Sequence, residues 1–131
     1  MDNIVIDTDT PIALTVIDKK TKLAVDISGL AGLLIKVFQV VNGVRVDIDN
    51  FSLNAQTGWR AITVVTAAEG KIKIFLNADN LKLGTVGEII YYELKTIAVN
   101  VNFDSGTEER SNERAILAKL VSSELIDKDF V

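Results

Sequence analysis

Apolar and polar residues alternate along most of this chain in runs of about five to nine residues, broken by glycine, asparagine and aspartate. A period of two sends successive side chains to opposite faces, so each run predicts a β-strand with one apolar side. Ile4 to Asp7 comes first. Ile12 to Asp18 follows, with Ile12, Leu14 and Val16 on one face, and Lys19-Lys20-Thr21-Lys22 turns the chain in solvent. Pro11 falls between these two runs, where its missing N–H costs nothing. Leu23 to Gly29 reads as a short strand leading to a connection that ends at Gly32. Leu33 to Val41 is apolar on both faces, the pattern of a central strand.

Asn42-Gly43 is the strongest local signal, because a two-residue type I′ hairpin needs positive φ at both central positions. It returns the chain as Val44 to Asp49, with Val44, Val46 and Ile48 expected to face inward. Asn50 to Gly58 is irregular, and Trp59 opens a further run to Thr66. Glu69-Gly70 turns into the alternating Lys71 to Leu76, followed by a turn or single helical turn at Asn77 to Leu81. Gly84 and Gly87 frame a loop before Glu88 to Val101, and Asp104-Ser105-Gly106 is another hairpin signal.

The C-terminal segment, residues 113–126, fits two periods. Ile116, Leu117, Leu120, Val121 and Leu125 lie at helical spacing in an Ala-, Leu-, Glu- and Lys-rich stretch, while Ile116, Ala118 and Leu120 also make a strand face. The preceding hairpin signal tips the reading towards a returning strand, with a C-terminal helix as the alternative. Short strands with turn signals at regular spacing predict an all-β fold. We expect an antiparallel Ig-like β-sandwich of about 8–9 strands, with residues 1–131 as one domain.

Composition narrows the function. The 131 residues include no histidine and no cysteine, which removes the usual acid-base group near neutral pH and most zinc and thiolate chemistry. A non-enzymatic chain without cofactors is the expectation. Net charge is −4 and the basic residues are scattered, so the concentrated basic footprint of nucleic-acid binding is missing, and an anionic membrane is disfavoured likewise. No basic, apolar leader opens the chain, and no apolar stretch approaches the ~20 residues needed to span a bilayer.

Few residues recommend themselves for chemistry. Asp7 with Asp9 and Asp47 with Asp49 have the i, i+2 spacing that puts two carboxylates on one strand face. Asp47 and Asp49 alternate with core-facing Val46 and Ile48, the pattern of a solvated face rather than of a catalytic pair. Gly84-Thr85-Val86-Gly87 lacks the lysine of a phosphate loop and reads as a turn. Ser28 and Ser105 precede glycines and have no histidine to activate them. The mixed-charge tract Thr107 to Arg114 reads as a solvated hairpin arm, with docking onto a neighbouring subunit as its functional alternative. The candidate binding residues are Trp59, Arg60, Tyr91 and Tyr92, because Trp, Tyr and Arg dominate interfaces where they are exposed. Against this, one tyrosine of an alternating pair must face the core, and a lone tryptophan in a sandwich is commonly a core anchor.

Val25-Asp26-Ile27-Ser28-Gly29, Gly70-Lys71-Ile72-Lys73-Ile74-Phe75-Leu76-Asn77, Gly87 before Tyr91-Tyr92-Glu93-Leu94, and Asp104-Ser105-Gly106 near Arg110 occur in an order that resembles the N-terminal domain family of phage baseplate upper proteins. The resemblance runs from Ile12 to about Val121. Tyr91 and Tyr92 stand further after Gly87 than in that family, and Asn50 to Thr66 is added material. The resemblance implies an Ig-like sandwich in a virion or prophage tail, located in the virion or host cytoplasm. It also implies attachment to other tail or baseplate proteins and homo-oligomerisation. No family binding residue carries over. The alternative is a small-ligand or carbohydrate-binding sandwich, for which 6% aromatic residues is thin.

Overall fold

The computed structural model describes residues 2–112 and 114–122. Ten strands follow in chain order: β1 Asn3–Val5, β2 Thr10–Thr15, β3 Gly32–Val41, β4 Val44–Ser52, β5 Arg60–Ala61, β6 Thr63–Thr66, β7 Lys71–Leu76, β8 Ile89–Val99, β9 Thr107–Ser111 and β10 Ala115–Val121. A short helix, α1 Ala78–Leu81, joins β7 to β8. Its start is fixed by the Asn77 side chain, which accepts from the Asn80 N–H at 2.9 Å.

The larger sheet has the order β1-β10-β8-β3-β4-β5, with β9 also paired to β8, and the smaller has the order β2-β7-β6. The fold is all-β, but the larger sheet is mixed rather than purely antiparallel: β1 runs parallel to β10, and β4 parallel to β5. Neither pairing joins consecutive strands by a tight turn, so local pattern carries no sign of it. Consecutive strands cross between the sheets at β1–β2, β2–β3, β5–β6 and β7–β8, so the two sheets are built from interleaved parts of the chain. Ile35 and Val37 of β3 and Ile72, Ile74 and Leu76 of β7 meet in one buried cluster fed by both sheets.

Several strand readings hold. Asn42 and Gly43 have φ of +52° and +76°, as the type I′ turn requires, and β3 lies centrally between β4 and β8. The C-terminal segment is a strand over Ala115–Val121, with Ala118 and Leu120 buried. Ile116 does not share their face and is exposed, because the register against β8 shifts between Ile116 and Ala118, while Leu125 lies outside the described residues.

Other readings need correction. Leu23 to Gly29 is not a strand: Ala24 makes one isolated bridge to Ile17, and Asp26 accepts from the Ser28 N–H and hydroxyl, bending the chain there. Pro11 lies within β2, an edge strand and so a position that tolerates proline. The run from Trp59 to Thr66 divides at buried Ile62, sending β5 to one sheet and β6 to the other. Val44 is exposed because it stands at the hairpin end, whereas Ile48 is buried.

Candidate functional site

Register places the four candidate binding residues on two faces of the larger sheet. Tyr91 pairs with Phe38, and Lys36 pairs with both Glu93 and Asn50, the neighbour of Trp59 across the β4–β5 pairing. Trp59 and Tyr91 therefore share the outer face, about three strand spacings or roughly 14 Å apart. Lys36 Nζ lies 5.9 Å from the Trp59 ring centroid, and Trp59 is half-buried. The Tyr91 ring is occupied on this face, with Phe38 at 5.9 Å and the Arg114 guanidinium at 4.7 Å. Arg45 covers Phe38 at 3.8 Å and pairs with Asp47 and Glu93, so this stretch of the outer face is a closed ladder of rings and charges.

Tyr92 and Arg60 belong to the inner side. Tyr92 packs against the core and lines a groove of about 500 Å³ between β2 and the β1–β10 edge, with Ile12, Leu14 and Leu117. Arg60 pairs with Asp49 and lies 5.2 Å from the Phe51 ring centroid.

Asp49 is where the paired-carboxylate reading fails. Phe38 is opposite Asp47 but Val37 is opposite Asp49, so Ile48 is an extra residue in β4. This bulge breaks the alternation and turns Asp49 inward, while Asp47 stays exposed. Burial pushes the Asp49 carboxyl above the ordinary aspartate range, against the opposing pull of the Asn50 N–H and the Arg60 guanidinium. The ion pair closes the sandwich beside β5. Asp7 and Asp9 do not share a strand face either: both follow β1 in a turn, and Asp9 accepts from the Ala78 N–H at 2.7 Å.

The glycine-framed loop after α1 has a structural anchor. Gln39 is fully buried, donates to the carbonyls of Thr85 at 3.0 Å and Glu88 at 3.2 Å, and accepts from the Thr85 N–H at 2.6 Å. No periodicity marked Gln39, since it stands at an inward position of an otherwise apolar strand. Among the described residues, no group of three or more acidic side chains is placed to hold a metal ion. No helix among them is long and apolar enough to cross a membrane.

One surface escaped the sequence reading. β8 and β9 are joined by a turn in which Asn100 N–H donates to Gly106 O at 2.9 Å and Gly106 N–H to Phe103 O at 2.9 Å. This hydrogen-bonded tip holds Val99, Val101 and Phe103 in solvent, with Val101 86% exposed. Ile17 and Leu23 are exposed on the turn after β2, which an Asp18–Arg110 ion pair at 3.6 Å ties to β9. The β8–β9 turn with the end of β8, and the turn after β2 that is linked to β9 by the ion pair, therefore display five large apolar side chains. The signal was in the chain as Val99, Val101 and Phe103 alternating up to Asp104-Ser105-Gly106, but alternation alone does not say that the strand outruns its neighbours.

No family model, no curated protein and no solved structure matches this chain.

Proposed function

We propose that this chain is a non-enzymatic structural module of a phage or prophage tail or baseplate that works by protein–protein assembly, as a homo-oligomer and with other tail proteins. The observation that carries the reading is the exposed apolar set on the two braced turns. Single exposed apolar residues are ordinary, but several gathered on ordered turns mark an interaction site. The turns are already hydrogen-bonded in the isolated chain, so docking orders little further backbone and costs less entropy. The order of motifs resembling baseplate upper protein domains supports the same direction, and repetition in a symmetric assembly multiplies modest contacts.

Val101→Asp combined with Phe103→Ser tests the reading. Both positions are exposed, so the fold should survive while self-association, followed by sedimentation velocity, drops at least about tenfold. Unchanged association of a folded double variant would reject the turns as the contact.

A further inference from the structure

The edge of the sandwich beside β5 carries a second feature, on a different loop from the apolar turns. A groove of about 500 Å³ is lined by Ser52, Asn54, Gln56, Thr57, Trp59 and Arg60 among others. We propose that this groove binds an uncharged saccharide, with a pyranose ring stacked on Trp59 and its hydroxyls bonded by Asn54, Gln56 and Thr57.

The polar groups of the groove divide into fixed and free. Trp59 is set by a tight turn in which its N–H donates to Gln56 O at 3.1 Å and Gly58 takes a φ of +82°, a value that favours glycine. Asn54 Nδ2 donates to Ala31 O at 2.7 Å, which pins the side chain and leaves its amide oxygen as an acceptor. Gln56 and Thr57 are exposed, so the hydrogen-bonding groups of their side chains face solvent. The guanidinium lining the groove is engaged by Asp49. What remains is an aromatic surface flanked by amides and a hydroxyl, without an uncommitted charge on the lining. A pyranose matches this chemistry, because its C–H face is apolar enough to pack on an indole while its rim both donates and accepts hydrogen bonds. Lys36 Nζ lies 5.9 Å from the ring centroid, within cation–π reach of the indole.

The inference does not depend on the assembly reading and is tested separately. The full chain is titrated with cellopentaose, maltopentaose and chitopentaose up to about 10 mM, following heat and tryptophan fluorescence. Trp59 is the only tryptophan, so the emission reports on the groove itself. Saturable binding of at least one pentasaccharide with an emission change is expected. Gln56→Ala together with Thr57→Val should weaken it several-fold, and Trp59→Ala at least about tenfold by calorimetry. Should Trp59→Ala fail to fold, the Gln56→Ala and Thr57→Val pair carries the test, since both positions are exposed. Silence with all three sugars overturns the proposal. Binding that none of these substitutions weakens overturns it equally.

Discussion

Replacing Gln39 by methionine keeps the length of the side chain and removes its hydrogen bonding. Three bonds to the loop after α1 are lost: two donated to carbonyls at 3.0 and 3.2 Å and one accepted from the Thr85 N–H at 2.6 Å. At a net 0.5–1.5 kcal/mol each they sum to about 1.5–4.5 kcal/mol. Thr85 and Glu88 are themselves exposed, so water can recover part of this, and the loss should be about 2–3 kcal/mol. For a domain of this size that corresponds to a fall in Tm of roughly 8–12 °C. Thermal and urea unfolding followed by circular dichroism would measure it. A loss below about 1 kcal/mol would refute the view that buried Gln39 anchors the loop.

Other expectations concern the core, the backbone and pH. Leu120→Ala in β10 removes a fully buried side chain and should cost about 2–5 kcal/mol in urea unfolding, which also checks that the C-terminal strand is an integral, interior strand of the larger sheet. Gly70→Ala should be among the most damaging single changes, seen as loss of cooperative unfolding. Its φ is +65°, and a Cβ there would stand 2.6 Å from Val25 O and 2.8 Å from Val16 O, backbone atoms that cannot step aside. Asp49 titrates above its unfolded value of 3.8, so the native state holds the proton more tightly and its contribution to stability declines as pH rises through that window. Asp49→Asn should remove this decline, so unfolding measured from pH 3 to 7 should show the variant comparing better with the parent near neutrality than in acid. Asp18 and Asp26 titrate below the usual value, held there by backbone and Ser28 hydrogen bonds, so their stabilisation is present above 3.8 and fades on acidification.

Sequence and structure agree where chemistry is local. Asn42-Gly43 dictates its own turn through φ, and β7 alternates buried Ile72, Ile74 and Leu76 with more accessible neighbours, as its pattern says. Disagreement begins where the answer depends on a distant partner. Ile48 makes a bulge only because β4 must pair with β3 in a register that leaves it over, and that extra residue decides whether Asp49 is a surface acid or a buried ion-pair partner. Alternation requires one of Tyr91 and Tyr92 to face the core without saying which, and register assigns Tyr92, together with Arg60, to the interior side. Leu23 to Gly29 has strand composition, but Asp26 and Ser28 satisfy the backbone locally instead.

The central claim is that the chain assembles through its apolar turns, and light scattering on a size-exclusion column over a hundredfold range of protein concentration tests it most directly. A defined oligomer that shifts towards monomer on dilution, and that Val101→Asp reduces to monomer throughout, is the expected result. A strict monomer at every concentration, or an oligomer indifferent to Val101→Asp, would contradict it.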